Sequence, residues 1–219
     1  MITYEQIKAN EDIRIYIKKA DELLSSIGYT EHSFAHVTKV AETAGFILKE
    51  TGHTDHEIEL VKIAGFMHDI GNLINRSEHS QSGAAMAFRI LDKINMPAED
   101  IATVVMAIGN HDEGTGLPVD DVSAALILAD KTDVRRSRVR NVKEIEFDIH
   151  DRVNYSVSES KLDINNSEKS ITLILTIDTK FGSVMDYFEI FLERMLLCRK
   201  AAEKLGYSFK LMINNQPIM

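Results

Sequence analysis

Three shortages in this chain each exclude a class of protein. A single cysteine, Cys198, stands among 219 residues. That rules out an intramolecular disulfide framework and a cysteine-rich zinc site, and leaves a buried core thiol as the expectation. Basic residues are outnumbered, 25 Lys and Arg against 34 Asp and Glu, for a formal net charge of -9. Such a surface is not built to coat nucleic acid, although a local basic patch can still hold phosphate. No apolar run is long enough to span a bilayer, and the opening Met-Ile-Thr-Tyr-Glu-Gln-Ile-Lys lacks a basic segment followed by an apolar core. A cytoplasmic protein with no membrane partner is the expectation. Internal repeats and low-complexity segments are also missing, and the length suits one domain with at most a small appendage.

Apolar residues recur at helical spacing up to about residue 140. Ile13, Ile17, Ala20, Leu24 and Ile27 form one stripe, and Val37, Val40, Ala41, Ala44 and Leu48 form another. Further helices are expected near 55–70, 77–95, 98–111 and 120–140. Ser77 reads as an N-cap, Gly28 and Gly71 as stops, Pro97 as a helix opener, and Asp120 or Asp121 as a restart. Beyond residue 152 the period shifts to two, in Val153, Tyr155 and Val157 and again in Ile171, Leu173, Leu175 and Ile177, with Asn165-Asn166-Ser167 as the turn between them. A helix with Phe188, Phe191, Leu192 and Met195 on one face follows, then a strand with Phe209, Leu211 and Ile213. The expected fold is mainly α: a helical bundle over 1–150 with a small C-terminal β-β-α-β antiparallel subdomain over 151–219.

Set into the apolar segment is Phe-Met-His-Asp-Ile-Gly, with His68 and Asp69 near a helix end, His36 upstream, and His79, His111 and Asp130 downstream. A His-Asp pair in such surroundings must find partners. Asp130 follows six apolar residues, where an ionised carboxylate is costly unless it is paired or bound to a metal. A pair with Lys131 or Arg135 is the weaker alternative for Asp130, whereas His36 taken alone reads as a satisfied core histidine. Taken together, His36, His68, Asp69 and Asp130 read as ligands of a divalent metal, and nitrogen and oxygen donors without sulfur suit Mn, Fe, Co, Ni or Zn.

The pattern of His36, His68-Asp69 and Asp130 resembles the HD-domain metal-dependent phosphohydrolase superfamily over roughly residues 30–140. The run through Glu78-His79-Ser80 and Asn110-His111-Asp112 is most similar to the HD domain of the ribonuclease Y enzymes and related dinuclear members. The resemblance implies an HD-type helical bundle and one or two ions, with Asp69 bridging and His79 and His111 serving a second ion. Asp69, His79, His111 and Asp130 thereby carry catalysis. The chain departs from many relatives at Asn72, where they have Lys, and at Asp112, where dinuclear members have a second histidine. Lys131, Asp133 and Arg138 are candidates for substrate contact or proton transfer. Arg135, Arg136, Arg138 and Arg140 are expected on the helix of Asp130, with Arg138 on the same face about 12 Å along the axis.

Among the other histidines, His32 reads as a surface residue, His53 and His56 as solvated, and His150-Asp151 as a structural junction. The function implied is phosphoester hydrolysis through a metal-bound hydroxide, with a nucleotide or another small phosphorylated molecule as substrate. RNA phosphodiester cleavage and a regulatory module that binds metal or nucleotide without efficient turnover are the competing readings. A homodimer through the tail is a further possibility.

Overall fold

The computed structural model describes residues 2–140 and 149–219. Helices α1 (Tyr4–Ala9), α2 (Glu11–Ser26), α3 (Phe34–Glu50), α4 (Asp55–Met67), α5 (His79–Lys93), α6 (Ala98–Gly109), α7 (Asp121–Lys131) and α8 (Ile149–Ser156) lead into β1 (Val157–Asn165) and β2 (Ser170–Ile177). Helix α9 (Val184–Lys204), β3 (Ser208–Ile213) and β4 (Gln216–Pro217) complete it. Capping boxes start α1, α4, α7 and α9, through Thr3 with Gln6, Thr54 with Glu57, Asp120 with Ser123, and Ser183 with Asp186. One continuous apolar core runs from Tyr4 to Ile213. Fully burying each large side chain is worth about 1.5–3 kcal/mol, which outweighs any exposed ion pair. Among the described residues, no helix is long and apolar enough to cross a membrane.

The expected stripes are buried in α2 and α3, except that Ile27 lies beyond the end of α2 and is exposed. Gly65 brings α3 and α4 together, since a Cβ there would sit 2.8 Å from the Ala41 Cα. Gly71 is more tightly constrained. Its missing Cβ would lie 2.0 Å from the His79 carbonyl oxygen and 2.4 Å from the Gly83 nitrogen, so the short 3-10 turn Ile70–Leu73 packs directly on the start of α5.

Three boundaries and one buried face differ from expectation. Helix α5 begins behind Glu78 rather than Ser77; Glu78 takes φ +57° with no side-chain cap, placing backbone strain directly beside His79. Helix α7 stops at Lys131 instead of running to 140: the Thr132 hydroxyl donates to the Leu128 carbonyl at 2.6 Å, and Asp133 turns toward α3. Val153 and Tyr155 belong to α8, not to a strand, because 153, 156 and 157 also satisfy helical spacing. The buried face of α9 is Tyr187, Phe191, Met195, Cys198 and Ala201, whereas Leu192 is half exposed.

The sheet runs in the order β1-β2-β3-β4. The expected antiparallel arrangement holds for β1 with β2, but β2 and β3 are parallel, with Leu173 opposite Leu211, and β4, a short fourth strand beyond the expected three, pairs antiparallel with β3. The crossover through α9 explains this, since a helix of that length returns the chain to the end of the sheet from which β2 set out. Helix α9 packs against both this sheet and α7, which brings the tail beside the helix that carries Asp130.

Candidate metal centre

Six side chains converge from helix ends. His36 sits in the first turn of α3, His68 caps the C-terminus of α4 and Asp69 follows it. His79 opens α5, His111 lies just past α6, and Asp130 is next to last in α7. His36 Nε2 lies 3.4 Å from Asp130 Oδ1 and 3.6 Å from Asp69 Oδ2, and His68 Nε2 lies 3.2 Å from Asp69 Oδ2 and 3.6 Å from Asp130 Oδ1. On the other side of Asp69, Oδ1 is 3.5 Å from His79 Nε2, which is 3.2 Å from His111 Nε2. The donor atoms of His36, His68 and Asp130 lie within 4.8 Å of one another, as do those of His68, Asp69 and His111.

Local backbone chemistry decides which nitrogen each ring presents. The Nδ1–H of His68 donates to the Gly65 carbonyl at 2.8 Å, that of His111 to Ile108 at 2.7 Å, and that of His79 to Arg76 at 3.2 Å. Each acceptor is the carbonyl three residues back, and for His68 and His111 it is one that the end of a helix leaves without an intrahelical partner. His36 differs: its Nδ1–H donates to the buried Asp133 carboxylate at 2.8 Å. All four imidazoles therefore turn Nε2 inward, in the arrangement that fixes metal-ligating histidines.

Three of these inward atoms, His36 Nε2, His68 Nε2 and Asp69 Oδ2, are buried and without a hydrogen-bond partner. Buried polar atoms are rarely left so. Their shared direction, with the imidazole protons committed to Nδ1, fits a cation between them. The electrostatics agree. Against their burial, Asp69 is held well below the usual carboxylate range by His68 and His32, and Asp130 by Lys131, His36 and His68. Burial disfavours a charged His68, but Asp69 and Asp130 outweigh it and push the pKa up to about 10, so an ion bound between these carboxylates would take the place of that proton. His79 and His111 are pulled down, chiefly by burial, and stay neutral, as ligands must.

The residues expected to touch substrate separate here. Lys131 reaches the centre, with Nζ 2.8 Å from Asp130 and 2.9 Å from Glu113; its pKa is raised by those carboxylates against the effect of burial. Asp133 is turned away from the opening and held behind His36, with Lys39 at 2.9 Å and Arg135 at 3.0 Å. Arg138 lies beyond the end of α7 and so does not reach Asp130 along a helix face. It is buried nonetheless, donating to the Glu31 carbonyl at 3.0 Å and the Asp133 carbonyl at 2.9 Å, and it borders the void above the six side chains. Arg136 and Arg140 are engaged with the Tyr155 carbonyl and with Asp21 rather than simply solvated.

His32, read as a surface residue, packs edge-on to His36 with ring centroids 5.5 Å apart and borders the same void. The 3,4 spacing within one turn was its only signal. Arg76, Glu113 and Arg194 stand out in no motif: Arg76 lies 3.2 Å from His79 Nε2, while Arg194 of α9 pairs with Glu113. Asn72 is buried and donates to Asp69 Oδ1 at 2.9 Å, so it orients the carboxylate in place of a lysine. Asp112 Oδ1 lies 3.9 Å from His79 Nε2. His53 pairs with Asp121 at 3.0 Å and is largely covered, whereas His56 pairs with Asp100 at 2.8 Å from a half-exposed position. His150 and Asp151 line a neighbouring cavity of about 440 Å³.

A family model described as HD domain matches residues 33–160, which include all six convergent side chains. An uncharacterized protein of Methanocaldococcus jannaschii is 24% identical over 204 residues, covering 82% of this chain and 77% of that one. Ribonuclease Y of Campylobacter curvus is 29% identical over 126 residues, or 54% of this chain, which spans only 23% of that enzyme's length. Among solved structures, one from an uncultured Thermotogales bacterium, described as a predicted HD superfamily hydrolase, is 23% identical at a TM-score of 0.44, covering 57% of this chain and 67% of that one. With more than half its length matched by the family and the His, His-Asp and Asp side chains gathered at one point, the chain belongs to the HD domain family.

Proposed function

We propose that the chain is a metal-dependent phosphohydrolase acting on a nucleotide or another small phosphoester. The observation that carries this reading is the set of three partnerless buried atoms, His36 Nε2, His68 Nε2 and Asp69 Oδ2, facing one space beside the neutral pair His79 and His111. His36, His68, Asp69 and Asp130 would hold one ion, and Asp69, His79 and His111 a second. When bound, a divalent ion supplies Lewis acidity and lowers the pKa of a coordinated water from 15.7 to about 7.

The chain's own residues do the rest. Asp133 and the three carbonyls hold the imidazoles in register. Lys131 stays protonated over Asp130 and offers positive charge to phosphoryl oxygens. Arg138 and His32 border the opening, beyond which a cavity of about 440 Å³ is ample for a small ligand on the roughly 300–1,000 Å³ scale of such sites.

Protein loaded with Mn, Fe, Co, Ni or Zn is expected to release phosphate from small phosphoesters, and Asp69→Ala to lose both bound metal and turnover. Full activity with unchanged metal content in Asp69→Ala would sink the assignment. Similarity to ribonuclease Y favours a second reading, cleavage of RNA phosphodiesters. New RNA ends, with small phosphoesters untouched, would select it. Retained metal with no turnover on either substrate would leave a regulatory module.

A further inference from the structure

Four residues, His32, Arg76, Arg138 and Arg194, line both the void above the metal ligands and the cavity of about 440 Å³ beyond it. Three are arginines from distant parts of the chain, and each is anchored at one side only. Arg138 spends Nε and Nη1 on the carbonyls of Glu31 and Asp133. Arg194 spends Nε on Glu113 and lies 4.4 Å above the Phe191 ring. Arg76 spends Nη1 on Asn72 and His79 and lies over Tyr29. Among the described residues, Nη2 of Arg76, Nη2 of Arg138 and both terminal nitrogens of Arg194 take no partner.

The nearby carboxylates are fewer than the arginines and mostly shared. Glu113 also serves Lys131, Asp133 serves His36, Lys39 and Arg135 and approaches Arg138 only at 3.9 Å, and Asp151 is the one acid among the residues that line the outer cavity. Arg138 is buried, and a buried cation without full compensation is costly; with Arg76 and Arg194 half-buried beside it, the arrangement calls for an anion. A phosphoryl group above these side chains would be held by the bound metal and by Lys131, leaving too few acceptors for three free guanidinium ends. Forked donors of this kind match a tetrahedral oxyanion with two hydrogen bonds each.

Building on the hydrolase reading, we infer that Arg76, Arg138 and Arg194 form a subsite for a second phosphoryl group, so that the substrate carries at least two. Arg194 comes from α9, outside the segment 33–160 that matches the family, and this makes the tail a determinant of substrate choice.

Calorimetry on metal-free protein tests the subsite without any variant. Inorganic pyrophosphate is expected to bind at least tenfold tighter than orthophosphate, and Arg194→Gln to erase that difference. In metal-loaded protein, kcat/KM for a nucleoside diphosphate or a 3′,5′-bisphosphate is expected to exceed that for the monophosphate at least tenfold; whichever of the two leads shows whether the second group is adjacent or spaced. Equal binding of the two anions, or a monophosphate turned over as well as both others, would overturn the subsite while leaving hydrolysis intact. Tight pyrophosphate binding with no hydrolysis of any substrate would instead support the subsite and remove the hydrolase reading.

Discussion

The hydrogen bond that His36 donates to Asp133 does for this centre what backbone carbonyls do for the other imidazoles. A carboxylate accepts the Nδ1–H firmly and also raises the basicity of the ring. Asp133→Asn keeps the shape but removes the charge, and its amide can offer N–H where an acceptor is needed. Apparent metal affinity is expected to fall about 10–100-fold, with activity regained at high metal concentration. A metal titration followed by activity checks this, and a variant unaffected at limiting metal would show that Asp133 does not position His36. At this scale the sequence was informative wherever chemistry forced rarity: His68-Asp69 and Asp130 stand out because charge is out of place among apolar neighbours. Asp133, by contrast, sits in an ordinary polar run, and its link to a residue 97 positions away exists only in the folded chain.

At the scale of elements, the junction between Gly71 and α5 sets where His79 points. The close approach leaves no room for a methyl group, and Glu78 is already strained to make the turn. Gly71→Ala is therefore expected to destabilise the protein by about 1–3 kcal/mol through overpacking. It is also expected to lower occupancy of the His79 and His111 side before that of His36 and Asp130. Thermal melting together with metal stoichiometry reads both effects, and unchanged values in each would show that the contact relaxes freely. Helix identity was legible from period and caps, but the end of α7 was not. No Gly or Pro marks it: Thr132 and Arg138 bond locally to the Leu128 and Asp133 carbonyls, and Asp133 is drawn out of the helix by its long-range bond with His36. The parallel pairing of β2 with β3 is of the same kind, since a strand's own residues do not say which neighbour it will run beside.

On the scale of the whole molecule, the tail is continuous with the helical core and delivers Arg194 to Glu113, a pairing 81 residues apart that neither segment announces. Burial also holds several acids protonated. Cys198 is pushed up from about 9 to about 12, and Tyr4 and Tyr187 are raised still further, all chiefly by burial. Because these groups keep their protons in the folded chain while the unfolded chain loses them, stability is fully present below about pH 9 and falls as pH rises from there through about 12. Chemical denaturation at stepped alkaline pH is expected to show that decline, and a flat profile across the range would contradict the buried placement. Cys198 is likewise expected to resist alkylation at pH 8 until the chain unfolds.

The most direct test of the metal centre is elemental analysis of untagged protein purified without chelators. Two ions of Mn, Fe, Co, Ni or Zn per chain are predicted, and Asp69→Ala is predicted to bind neither. A folded wild-type chain that holds no ion, even after incubation with each of these metals, would contradict the account.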